Sequence, residues 1–244
     1  MQTRLALAIA TLGCILAAPA WADFSADFAD VQGTGRAALT RIEVGGGHMR
    51  MDTGSNSVLV DANSGRILML MHDKKQYMDM GKMAQSLNAI LANVPPQMRD
   101  MMKQRMAARS GGGTVTYAST GQAATVAGYA CTMFQVKAGE NHISDACLAD
   151  LSAAGIDAAD QATVRKVFDD LRAMAQTASA GMASSSINQL PTGKFPVRMT
   201  RYEDGKIADV SQIKGVSHAA VNRADFEIPA GYSEAEMPAM GMHH

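Results

Sequence analysis

The sequence lacks features that several large protein classes require. Its 22 Lys and Arg residues almost balance 23 Asp and Glu residues, so there is no basic excess of the kind that binds nucleic acid or an anionic membrane surface. Phosphate-binding loops, dinucleotide fingerprints, nucleophile elbows and H-E-x-x-H zinc motifs are absent. These absences predict a protein that is not an enzyme, holds no cofactor and has no nucleic-acid partner.

Long apolar runs are also absent, except at the start of the chain. Arg4 precedes an apolar stretch at 5–18, and Ala-Trp-Ala at 20–22 is typical of a signal-peptidase site. We therefore expect residues 1–22 to be a signal peptide and the mature protein to be periplasmic, with no transmembrane segment. Lipid attachment at Cys14 is the alternative.

Cysteine is scarce, and the few residues present do not form a C-x-x-C redox motif. Cys131 and Cys147 remain after cleavage of the signal peptide. In an oxidising compartment such a pair predicts a structural disulfide, and closing a loop of this size stabilises a fold by about 3 kcal/mol.

What the chain does contain is a series of short alternating segments separated by polar or glycine-rich turns, which predicts antiparallel strands. The expected strands are 23–32, 36–44, 48–52, 57–61, 66–72, 75–80, 114–125, 129–137, 142–151, 195–202, 206–216 and 221–228. Helical periodicity predicts helices within 81–108, interrupted at Pro95-Pro96, and at 155–182. We expect one α+β domain at 23–232 and a disordered tail at 233–244.

Methionine is unusually frequent, with 19 residues. Pairs spaced two apart on the expected strands share a face, and further methionines recur at helical spacing after Pro96. The predicted methionine face comprises Met49, Met51, Met69, Met71, Met78, Met80, Met98, Met101, Met102 and Met106. Because methionine is adaptable, this face either fills the core or lines a groove for an apolar ligand, with the helices of 81–108 as a lid.

Two other motifs suggest different functions. Asp52 begins the sequence DTGS, which is found around the catalytic carboxylate of aspartic proteases, although a hairpin turn explains it equally well. The tail offers thioether and imidazole ligands that suit copper, at Met237, Met240, Met242, His243 and His244. The other histidines after the signal peptide, His48, His72, His142 and His218, are expected to be surface residues.

Several short motifs, in order along the chain, resemble the DUF4412 family of exported bacterial proteins. They are Met49-Arg50-Met51, Val58 to Asp61, Tyr77-Met78, Val126 to Tyr129, Phe195-Pro196 and Phe226 to Tyr232. The family is similar to LolA/LppX-like lipoprotein carriers, so the resemblance implies a curved antiparallel sheet, or half-barrel, with helices packed on or across its concave face. It implies no catalytic residues. A lipid acyl chain, such as that of a lipoprotein, or a hydrophobic peptide is the expected ligand.

Overall fold

The structure is a computed structural model that describes residues 23–32, 39–92, 94–95, 97–98, 101, 115–177 and 190–235. The predicted signal peptide, the methionines Met102 and Met106, and the Met/His cluster of the tail lie outside the described residues. Among the described residues, no helix is both long and apolar enough to cross a membrane.

Alternating sequence gives strands along most of the described chain. The strands are β1 (Phe24–Asp30), β2 (Arg41–Gly45), β3 (His48–Asp52), β4 (Asn56–Asp61), β5 (Arg66–Met71), β6 (Gln76–Asp79), β7 (Val115–Val126), β8 (Tyr129–Ala138), β9 (Asn141–Asp150), β10 (Lys194–Glu203), β11 (Lys206–Ser217) and β12 (Ser233–Glu234). In the described part of the chain they are accompanied by the helices α1 (Met80–Ala92) and α2 (Ala158–Thr177).

The strands form one large curved sheet that is antiparallel apart from its last pairing. In the described chain the order is β12-β6-β5-β4-β3-β2-β1-β11-β10-β9-β8-β7, and β12 runs parallel to β6. The sheet is not closed into a barrel, because β12 and β7 lie at opposite edges. The predicted α+β class and antiparallel sheet are therefore confirmed at this level.

Tight turns explain why the sequence defines β2 to β6 so well. Gly46 and Gly47 adopt φ values of 60° and 80°, which a two-residue hairpin turn requires and which glycine adopts without steric cost. The turn places Gly45 opposite His48 and fixes the register of β2 against β3. The predicted strand at 48–52 matches β3 to the residue.

One face of the sheet and α2 share a continuous apolar core. Phe24 and Phe195 meet edge to face with ring centroids 6.2 Å apart, which ties β1 to β10 across the core. The buried stripe of α2 joins the same cluster through Val164, Val167, Phe168 and Leu171. The predicted disulfide is confirmed: Cys131 of β8 and Cys147 of β9 are bonded, with Cα atoms 5.5 Å apart.

The strand predicted near the end of the chain is corrected. Residues 221–228 are not a strand but contain a 3-10 turn at Arg223–Phe226, because the Asn222 side chain accepts a hydrogen bond from the amide of Ala224. The sheet also continues past the expected domain end at 232, since β12 hydrogen-bonds to β6. We call residues 218–235, which follow β11, the C-terminal segment.

Candidate functional site

The strand methionines lie on the face of the sheet that carries the core. Register places Met51, Val58, Met69 and Met78 opposite one another in a row across β3, β4, β5 and β6. Met49 lies two residues from Met51 and therefore on the same face. The spacing in the sequence thus identified a shared surface correctly for these residues.

Packing divides this surface into two parts. Met49 is fully buried, Met51 is 4% exposed and Met80 is 8% exposed, all within the core cluster. Met69, Met71 and Met78 are only half-buried. The first group fills the core, whereas the second lies at its margin, toward α1.

A cleft opens at this margin between β6 and α1. Met78 and Met83 provide its apolar surface, while Asp79, Lys82 and Ser86 of the same elements and Glu234 and Ala235 of the C-terminal segment complete the lining. The cleft encloses about 500 Å³ including its open mouth. Met83 was not among the methionines predicted to line a site.

Met98 and Met101 are the two methionines of the predicted face beyond Pro96 that lie among the described residues. Met98 and Met101 are 53% and 54% exposed, so neither is buried against the strand methionines. Helical spacing shows which side chains share a face, but not whether that face is covered.

On the opposite face of the sheet, a polar network joins β3, β4 and the C-terminal segment. Arg50 donates to Asp52 Oδ1 at 2.8 Å and to Ser57 Oγ at 3.2 Å. Ser57 is fully buried and also bonds Asp52. His72 Nε2 lies 2.6 Å from Ser57 Oγ, and His72 Nδ1 lies 2.7 Å from the hydroxyl of Tyr232.

The chemistry of the partners fixes the direction of these hydrogen bonds. Asp52 as a carboxylate can only accept, so Ser57 donates to it. Ser57 must then accept from His72 Nε2–H, which leaves Nδ1 to accept from Tyr232. This direction is the reverse of the one in which a histidine activates a serine nucleophile. The network therefore holds the C-terminal segment on the sheet.

This network includes Asp52, the first residue of the DTGS motif. The Asp52 carboxylate is bonded to a guanidinium and a hydroxyl, and no second carboxylate is among its hydrogen-bond partners in the described chain. Aspartic proteases require two carboxylates that share a proton. Arg50 instead extends to the carbonyl of Asp225 at 2.9 Å, which links the motif to the C-terminal segment.

The four histidines that the structure describes occupy different environments. His48 stacks on Phe226, with ring centroids 5.7 Å apart. His142 Nε2 lies 2.8 Å from Asp145, whose other oxygen accepts from Tyr202 and raises the pKa of that phenol. His218 is exposed, as expected, whereas His72 is partly buried in the polar network.

These features describe an α+β protein built on a wide antiparallel sheet, with a partly apolar cleft beside α1 and a polar network under the C-terminal segment. The family model described as "Domain of unknown function (DUF4412)" matches residues 36–232. The chain therefore belongs to the DUF4412 family, which confirms the resemblance noted in the sequence. A comparison with curated proteins returned no match.

Proposed function

We propose that this protein is an exported, non-enzymatic binding protein that accommodates an apolar ligand, such as a lipid acyl chain or a hydrophobic peptide, in the cleft between β6 and α1. The observation that supports this proposal is that Met78 and Met83 lie on the two walls of that cleft. About 220 Å³ of this cleft is open to a small molecule, which is less than the range of about 300–1,000 Å³ that small-molecule sites occupy, so the cleft must widen to hold a ligand.

Methionine suits a site whose ligands vary in shape. Its thioether is polarizable and its unbranched chain adapts at little energetic cost, so Met-rich surfaces bind a range of apolar partners. Met69 and Met71 are half-buried on the neighbouring strand and would extend the apolar wall as the cleft widens.

Displacement of α1 would provide that widening. Of the described α1 side chains only Met80, its first residue, is buried. The pair of Lys82 Nζ and Glu234 Oε1, 2.8 Å apart, joins α1 to β12, but both side chains are well exposed. Solvent screens exposed pairs and they contribute little to stability, so this ion pair presents a small barrier to opening.

In this proposal the sheet acts as a half-barrel of the LolA/LppX-like kind, with α1 and α2 over its concave face. Support comes from the core cluster that α2 shares with Met49 and Met51. The protein would act in the periplasm after removal of residues 1–22, where a carrier of acyl chains has a function.

Binding of a fluorescent fatty acid to the full chain provides the test, together with native mass spectrometry of protein purified from its own compartment. Met83→Glu replaces part of the apolar surface of the cleft with a carboxylate and should weaken binding at least about tenfold, because an acyl chain gains nothing from contact with a solvated charge. Met83→Leu keeps the apolar volume and should bind normally.

Ile207→Glu is the matched control, since Ile207 is an apolar residue of β11 that is 48% exposed. This variant should bind the probe as the unmodified protein does. Absence of retained lipid together with absence of probe binding would refute the proposal. Equal weakening by the Met83 and Ile207 substitutions would place binding elsewhere and refute the assigned cleft.

A further inference from the structure

Three potential metal ligands converge where the start of α2 meets the end of β11. Asp157 caps α2, with one carboxylate oxygen accepting from the amide of Asp160 at 3.0 Å. Asp160 lies in the first turn, and His218 directly follows β11. One donor atom from each of the three residues lies within 4.8 Å of the other two.

Asp160 distinguishes this cluster from an ordinary group of surface acids. Asp160 is only 2% exposed, and its Oδ2 atom has no hydrogen-bond partner in the described structure. Buried carboxylate oxygens are normally hydrogen-bonded or bound to a cation. Burial, with the charges of Asp157 and then Asp23 adding to it, raises the pKa of Asp160 to about 7.

Asp23, whose charge acts on Asp160, has hydrogen-bond partners of its own. Arg223 donates to Asp23 Oδ1 at 2.8 Å, while Asp23 Oδ2 accepts from the amide of Val221 at 3.1 Å. These bonds offset the charge of Asp23 and leave the buried oxygen of Asp160 unpaired.

We propose that Asp157, Asp160 and His218 form a binding site for a divalent transition-metal cation of the zinc class. One imidazole nitrogen with carboxylate oxygens is a ligand set that zinc accepts, whereas calcium and magnesium prefer oxygen alone. Ligands around tetrahedral zinc lie about 3.4 Å apart, given zinc–ligand distances near 2.1 Å. Asp157 and His218 are exposed and can close to this spacing by side-chain rotation.

The positive end of the α2 dipole opposes a bound cation, but its effect is equivalent to about half a charge, against two carboxylates. The bound metal joins the start of α2 to the start of the C-terminal segment. Its role is structural, as a cross-link between elements that are distant in sequence.

Isothermal titration with zinc alone tests the proposal in the full chain. The tail histidines are replaced (His243→Ala and His244→Ala) so that binding at the tail does not mask the internal site. This background protein should bind one zinc ion, and zinc should raise its Tm. Asp160→Asn and His218→Gln should each weaken binding at least about tenfold, since even outer-shell changes weaken metal sites 10- to 100-fold.

His142→Gln in the same background is the control, because it removes another partly exposed imidazole without touching the cluster. It should leave zinc affinity unchanged. Because His218 is exposed, the His218→Gln protein should remain folded. It therefore tests the site even if Asp160→Asn changes the stability of the protein. No zinc binding by the background protein, or equal affinity in the background and His218→Gln proteins, would overturn the site.

Discussion

Replacement of Asp160 by asparagine should stabilise the metal-free protein, and the gain should depend on pH. Asp160 is 2% exposed, and burial moves its pKa from the ordinary value of 3.8 to about 7. The folded state therefore holds this proton more tightly than the unfolded chain does. Asparagine keeps the size of the side chain and has no charge at any pH.

The sign of the effect follows from these two pKa values. Below pH 3.8 the carboxyl is protonated in both states, so it does not alter the free energy of unfolding. As the pH rises toward 7, the unfolded chain loses its proton first, and the wild-type protein becomes progressively less stable. Above that range the penalty is constant, so the advantage of Asp160→Asn reaches its plateau.

The magnitude can be estimated from the same shift. Each pKa unit corresponds to about 1.4 kcal/mol, which gives an upper bound of about 4 kcal/mol at pH 8. The positive end of the α2 dipole favours the carboxylate by up to about 1 kcal/mol. We therefore expect a gain of about 3 kcal/mol at pH 8 and almost none at pH 4.

Urea unfolding followed by circular dichroism, in the presence of a chelator, measures this difference at several pH values. Asp169→Asn is the matched control, because Asp169 lies on the same helix with its side chain 56% exposed and paired with Arg172. Its effect should be within about 0.5 kcal/mol and nearly independent of pH. A gain for Asp160→Asn that is equal at pH 4 and pH 8, or a loss at pH 8, would refute the reasoning.

Three further variants test the packing of the fold. Replacing Cys131 and Cys147 by serine should lower the free energy of unfolding by about 3 kcal/mol, and reduction of the wild-type protein should give the same value in urea titrations. Tyr232→Phe keeps the ring but removes the donor to His72 Nδ1, which should reduce stability by about 1 kcal/mol; an unchanged urea midpoint would show that this bond contributes nothing. Gly45→Ala should cost about 1–3 kcal/mol, because the new Cβ would lie 2.5–2.6 Å from side-chain atoms of three neighbours; a thermal melt with unchanged Tm would contradict this close approach.

The β3 to β6 meander was predictable because its determinants are local. Short turns of three or four residues and the alternation of side chains fix where each strand begins and which face each side chain occupies. The same alternation wrongly predicted a strand at 221–228. There the hydrogen bond from the amide of Ala224 to the Asn222 side chain favours a 3-10 turn.

The division of the methionine face could not be predicted, because burial depends on what covers a residue. Met49 and Met78 have the same alternating context in the sequence, yet Met49 is fully buried and Met78 lines a cleft. The difference arises because Met49 lies in the core cluster shared with α2, whereas Met78 lies beside α1 near the edge of the sheet. Only the tertiary arrangement separates core methionines from those that can reach a ligand.

The C-terminal segment explains why the candidate sites were invisible as sites in the sequence. Its contacts join residues 152 to 198 positions apart: Val221 to Asp23, Asp225 to Arg50, Tyr232 to His72 and Glu234 to Lys82. No periodicity or spacing encodes such pairings.

His218 lies at one end of the C-terminal segment, beside α2, and Glu234 lies at the other end, at the cleft beside α1. The polar network lies between them, so a substitution in the network that loosens the segment would disturb both ends. Measurements of zinc affinity and of probe binding on the same network variant would then change together, whereas Met83→Glu would change probe binding alone.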